Sequence, residues 1–259
     1  MRIHWPFLRI IGLTGGVGTG KTTVSAIFRD SFGVRVISAD AISRHVMRPG
    51  RPAYRHILKH FGEEYTLPSG HLDRRKLAKL IQTDREARAK LQQCTNVYIL
   101  LSICNQILYH FFHGARYVVL DAPLLLETRL RLLINPVIVV WAPPDVQVRR
   151  LVERDGSQIT EDQARKRVES QLHIDMKTNL ADYVIRNDVD SVENAHQEVH
   201  RILTEITTSS RRAGHSVLGA LILNGALTLF FVLAMVGSGW AMRGILFTVW
   251  VLVMLMLWM

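Results

Sequence analysis

Short, mostly apolar runs recur along the chain at 8–14 (LRIIGLT), 34–38 (VRVIS), 116–121 (RYVVLD), 136–142 (PVIVVWA) and 183–186 (YVIR). Each is too short for a helix and rich in Ile, Val or Leu, which predicts strands buried on both faces of a parallel sheet. Helical periodicity fills the intervals: 23–30, 41–59, 74–112, 144–155, 160–172 and 192–206. PGRPAY at 49–54 reads as a turn, because proline fixes its own φ and restricts the residue before it. SGHLDRR at 69–75 reads as a loop leading into a helix. Thr160 is a predicted N-cap, with Glu161 and Asp162 in the first turn, where they suit the helix dipole. Strands alternating with helices predict an α/β fold, a parallel sheet flanked by helices. The α-rich stretch between the second and third strands is a candidate substrate-binding insertion.

The pattern changes near residue 210. From Ala213 to Met259 the only formally charged residue is Arg243. The 21 uncharged residues from Val217 to Gly237 would cross a ~30 Å hydrocarbon core as a helix. Gly244 to Met259 adds 16 mostly apolar residues, short for a span. Two arrangements fit: a transmembrane hairpin, or one span plus an interfacial segment placed around Trp240. Arg211 and Arg212 before the first run favour a cytosolic position for the preceding domain. The expected division is therefore a catalytic domain over 1–209 and a hydrophobic anchor in a lipid bilayer over 210–259. Mitochondrial outer membrane and endoplasmic reticulum are both compatible with so short and weakly charged a tail.

The formal net charge is +10, from 32 Lys+Arg against 22 Asp+Glu. That excess suits a polyanionic ligand. The basic residues are scattered, apart from a dense patch at Arg149, Arg150, Arg154, Arg165, Lys166 and Arg167, and no zinc-finger spacing or RNA-binding signature accompanies them. The charge is accordingly assigned to phosphate handling and not to nucleic acid. Cys94 and Cys104 make no disulfide framework and no metal site, and read as buried thiols. The eleven histidines show no HExxH spacing.

One motif carries clear chemistry. GGVGTGKT at 15–22 matches G-x-x-x-x-G-K-[ST] between a predicted strand and a predicted helix, the context that motif needs. Glycines allow a tight loop whose amides cradle phosphate oxygens, and the helix N-terminus adds partial positive charge. Lys21 would contact the β- and γ-phosphates of ATP, and Thr22 would place its hydroxyl on Mg²⁺. Asp40, just past the second strand, is placed either to orient an attacking hydroxyl and take its proton or to cap a helix. Asp121 ends the third strand, as a metal-binding acid or as a turn residue before Pro123. Arg150 and Arg154, four apart, share a helix face, while Arg149 points to a neighbouring one. Arginines on a mobile lid would meet charge developing on a phosphoryl group and exclude water.

LTGGVGTGKTT, SAD, RHVMRPGRPAY, LDRRKL, VVLDAPLLLE, Q-x-x-RL-x-x-RD and AD-x-VI-x-N follow one another over about residues 8 to 206. In this order they resemble the dephospho-CoA kinase family. With its apolar tail the chain looks most similar to a membrane-anchored branch of that family. The resemblance implies a P-loop NTPase-type sheet with a helical insertion and lid, and ATP-dependent phosphorylation of the 3′-hydroxyl of dephospho-CoA. It implies ATP contacts at Gly15, Gly16, Val17, Gly18, Thr19, Gly20, Lys21, Thr22 and Thr23, with Asn187 near the adenine. Asp40 would be the catalytic carboxylate. Arg149, Arg154 and Arg167 would lie in or near the lid. Arg44, the turn from Pro49 and Arg74 would belong to the acceptor side, and Pro123 and Leu124 would line the cleft. Two positions depart from the family: Ser38 stands where its first acid stands, and Asn96-Val97 replaces a His-Pro pair. These departures keep two other readings in view: a kinase for another small hydroxyl acceptor, and a membrane-bound nucleotide or CoA sensor.

Overall fold

The computed structural model describes residues 8–128, 131, 134–156, 159–188 and 191–212. Five strands, β1 (Arg9–Gly15), β2 (Arg35–Ser38), β3 (Tyr117–Asp121), β4 (Val137–Trp141) and β5 (Tyr183–Arg186), form one sheet in the order β2-β3-β1-β4-β5. Every pairing is parallel. Successive side chains of a strand face opposite sides, and here both sides are apolar. Ile10, Val118, Leu120, Val137 and Val139 pack into one core, and Ile11, Leu13, Val119, Ile138 and Val140 into the other.

Helices cover both faces. Helix α1 (Lys21–Asp30) and helix α9 (Val192–Arg212) close one, with Phe28, Val199 and Ile202 fully buried. The opposite face is covered by α2 (Ala39–Val46), α5 (Arg85–Phe112) and the short α8 (Ile174–Thr178), through Ile42, Ile103, Ile107 and Ile174. Helices α3 (Pro52–Phe61) and α4 (Arg74–Thr83) lean on α5 around a separate small core of Ile57, Leu72, Leu77 and Cys94. Helices α6 (Pro144–Asp155) and α7 (Glu161–Glu169), the segment expected to be a lid, pack together around Val148, Leu151 and Ala164.

The strands fall within a residue of their expected limits, and the turn expected around PGRPAY is present: α2 and α3 are separated at 47–51, where Gly50 takes φ 81°, and Pro52 opens α3. Two other expected helices are cut. The helix over 74–112 is interrupted at Asp84, whose carboxylate accepts from the Glu86 and Ala87 amides and starts α5. The helix over 160–172 ends at Glu169, and α8 follows as a separate turn. Local hydrogen-bonding side chains won over continuous periodicity at Asp84, as such side chains do at helix ends. No helix among the described residues is long and apolar enough to cross a membrane. The expected spans at 217–237 and 244–259 lie outside the described residues.

Candidate active site

The carboxyl ends of β2, β3 and β1 stand side by side, and three site segments leave from them. After β1 comes the glycine loop 16–20, then α1. Gly18 and Gly20 take φ of 76° and 84°. A side chain at Gly18 would collide with the backbone of Gln147, and one at Gly20 with the Asn187 amide. Positive φ and close approach together require glycine at both positions. The loop is braced from three directions. Asn187 Nδ2 donates to the Thr19 carbonyl at 2.8 Å, Thr19 Oγ1 to the Gly16 carbonyl at 2.9 Å, and the Val17 N–H to Gln171 Oε1 at 3.1 Å.

Lys21 opens α1 and its ammonium pairs with Asp121 Oδ1. Asp121 ends β3 in register with both Leu13 and Ser38, and is nearly buried. After β2, Ser38 caps α2: its hydroxyl accepts from the Ala41 N–H at 3.2 Å. Ser38 therefore occupies the cap that the sequence offered as an alternative role for Asp40. Asp40 sits in the first turn of α2, exposed and without a hydrogen-bond partner among the described residues.

These segments and the lid enclose a cavity of about 550 Å³. Gly16, Val17, Gly18, Gly20, Lys21 and Thr22 form its floor, Pro123 and Leu124 one wall, and Asp40 its edge. Arg150, Arg154, Arg167 and Gln171 close it from the lid side. Four cations thus face one free carboxylate across a space of ligand size, the balance a polyphosphate requires. Asp155 holds two of the arginines: Arg154 binds it through Nε at 2.7 Å and a terminal nitrogen at 3.2 Å, and Arg167 reaches it at 3.4 Å. The hydrogen bond from Arg154 outweighs desolvation and, with the charge of Arg167, draws the Asp155 carboxyl below its ordinary pKa.

The remaining expected residues lie outside the lining. Gly15 and Thr19 are buried behind the loop, Asn187 braces it from the β5 end, and Thr23 points outward on α1. Arg149 lies on the outer face of α6, with its Nε 3.7 Å from Glu153; Arg150 is the arginine of this pair that meets the cavity, one terminal nitrogen 3.4 Å from the Gly18 carbonyl. Of the residues expected on the acceptor side, Arg74 follows the α4 cap Asp73 and donates to the Arg44 carbonyl at 3.1 Å, while Pro49 sits in the exposed turn. A second cavity of about 330 Å³ lies between α2, α3 and α5, bordered by His45, Arg51, Tyr98 and Asn105. Among the described residues no cluster of three or more His, Cys, Asp or Glu could hold a metal. Cys94 and Cys104 are free, and burial pushes both thiols up in pKa. Sequence reasoning missed Gln171 and the buried Lys177. The signal for Gln171 was its place just after a helix of the lid; Lys177 gave none.

The family model for dephospho-CoA kinase matches residues 9–193. A dephospho-CoA kinase of Arabidopsis thaliana is 38% identical over 224 residues, 83% of this chain and 95% of that protein. A dephospho-CoA kinase domain-containing protein of Danio rerio is 39% identical over 198 residues, 76% of this chain and 85% of that protein. Among solved structures, dephospho-CoA kinase from Campylobacter jejuni superposes with a TM-score of 0.58 at 25% identity, over 78% of this chain and 99% of that one. TT1252 from Thermus thermophilus superposes with a TM-score of 0.66 at 28% identity, over 76% and 97%.

Proposed function

The chain belongs to the dephospho-CoA kinase family, and from that premise we propose how its own residues move the γ-phosphoryl group of ATP onto the 3′-hydroxyl of dephospho-CoA. One observation carries the reading: Lys21, Thr22, Asp40 and three lid arginines converge on a single cavity floored by the glycine loop.

The loop amides and Lys21 grip the triphosphate. Asp40 orients the 3′-hydroxyl and takes its proton as the oxygen attacks the γ-phosphorus. The bond from that phosphorus to the β–γ bridging oxygen breaks, and ADP leaves with the electron pair. Arg150, Arg154 and Arg167 meet the charge that spreads over the transferring group. Lid closure excludes water, so the hydroxyl wins over hydrolysis.

The donor types fit Mg²⁺: the Thr22 hydroxyl lines the cavity, and the nearly buried Asp121, whose Oδ1 pairs with Lys21, keeps a second carboxylate oxygen behind it. Mg²⁺ prefers few protein oxygens and completes its shell with phosphates and water. When bound, it would be held by Thr22 and Asp121 and would supply positive charge against the triphosphate.

The apolar tail supports anchoring in a bilayer, with the kinase domain facing the cytosol, on the mitochondrial outer membrane or the endoplasmic reticulum. Fractionation of the full chain against one ending at residue 212 tests this: only the full chain should sediment with membranes.

The activity test is ADP release by the purified protein against a panel of dephospho-CoA, nucleoside monophosphates, shikimate and gluconate. Dephospho-CoA should be preferred, and Asp40→Asn should cost at least about 10²-fold in kcat. Preference for any other acceptor would overturn the assignment.

A further inference from the structure

Lys177 is fully buried, and no step above uses it. Its ammonium lies 3.0 Å from Glu127 Oε1 and 3.5 Å from the carbonyl oxygen of Pro123. A buried lysine is costly unless paired, and this one is paired to the loop that forms a cavity wall. The same carbonyl receives a second buried donor, Thr14 Oγ1 from β1, at 2.9 Å. Two buried side chains, from a strand and from the helix after the lid, thus pin one peptide group.

That peptide joins Pro123 to Leu124 and is trans. In a planar trans peptide the N–H points opposite to the C=O. The carbonyl is turned into the protein, toward Thr14 and Lys177, so the Leu124 N–H is turned the other way. Pro123 and Leu124 both line the large cavity. The Leu124 N–H makes no hydrogen bond among the described residues, while the amides of Leu125 and Glu127 are both satisfied locally. The strand order fixes where this donor stands. β3 lies between β2, which leads to Asp40, and β1, which leads to the glycine loop. The loop after β3 therefore sits between the acceptor's carboxylate and the donor's phosphates.

We infer that the Leu124 backbone N–H is a binding group of the site, donating to an anionic phosphoryl oxygen where acceptor and triphosphate meet, and that Thr14 and Lys177 are the positioning residues that aim it. The inference rests on the kinase reading. The oxygen has two sources, the γ-phosphoryl group of ATP or the acceptor's own phosphate.

The direct test replaces the Pro123–Leu124 amide by an ester, with the α-hydroxy analogue of leucine at position 124 of the full chain. This removes the N–H and keeps the side chain. Removing one such donor costs about 10²-fold or more. A fall in kcat with both KM values kept identifies the γ-phosphoryl oxygen; a rise in KM for dephospho-CoA alone identifies the acceptor's phosphate. Leu124→Pro, also lacking the N–H, should lose at least ten times more activity than Leu124→Ala, which retains it. Thr14→Val should show the same kinetic signature as the ester at smaller amplitude. Lys177→Met paired with Glu127→Leu removes the buried charge pair together and should do likewise, with ATP affinity unchanged. An ester protein that keeps its melting temperature and shows wild-type constants would overturn the inference. Wild-type turnover of dephospho-CoA in the same assay is the control: its absence would count against the acceptor assignment instead.

Discussion

The two sides of the active cavity are built differently. The phosphate side is made mainly of backbone: a glycine loop of five residues, strung between a buried strand and a helix, braced by Thr19, Gln171 and Asn187. The side we assign to the acceptor is made of side chains on α2 and on α3, α4 and α5, the last three sharing a small core of their own. It also leaves Val97, Leu100 and Leu101 of α5 exposed. A backbone cradle tolerates little sequence change, because its glycines occupy conformations and spaces closed to other residues. A helical platform can change many positions and keep its shape. The exposed Asn96 is one such position.

The largest expected effect falls on the phosphate side. Lys21→Ala should lower kcat by about 10²-fold or more without unfolding the domain, measured by ADP release beside a thermal melt. It should leave dephospho-CoA binding intact, and equal loss of both ligands would break the contrast. The next effect belongs to the acceptor side. Ile57 is fully buried in the small core, so Ile57→Ala should cost about 2–5 kcal/mol by denaturant titration. Because that core is separate, the KM for dephospho-CoA should rise more than that for ATP.

The smallest effect concerns the lid. Asp155→Asn breaks the tether of Arg154 and Arg167, and solvent-screened pairs of this kind contribute little. The expected loss in kcat/KM is about fivefold or less. The native carboxyl titrates below its unfolded value, so the tether is complete above the ordinary carboxylate range. It is lost as the pH falls through the depressed native value. Wild type and Asp155→Asn should thus differ at neutral pH and converge in acid, read by hydrogen exchange in α7.

The same contrast decided what the sequence revealed. The five strands and the glycine loop were legible because they are local: an apolar run buried on both faces, then glycines, then Lys and Thr. The cavity's floor followed from them. The lid was half legible. Spacing put Arg150 and Arg154 on one face, and the family resemblance chose Arg149; in the structure Arg150 lines the cavity and Arg149 lies 3.7 Å from Glu153. The acceptor side was least legible. The proline-glycine turn after α2 was legible, but the break at Asp84 was not, because there a single cap overrides periodicity. The meeting of Lys177 with Glu127 and Pro123 joins segments about fifty residues apart, which no local pattern records.

Ser38 at the head of α2 has a mechanical consequence. An acid at that post would fasten the helix and add a second negative charge two residues from Asp40. A hydroxyl does the fastening alone and is indifferent to protons. In the mechanism proposed above, Asp40 would gain and lose its proton in every turnover while Ser38 keeps the helix that carries it clamped, so the moving charge and the fixed joint are different groups.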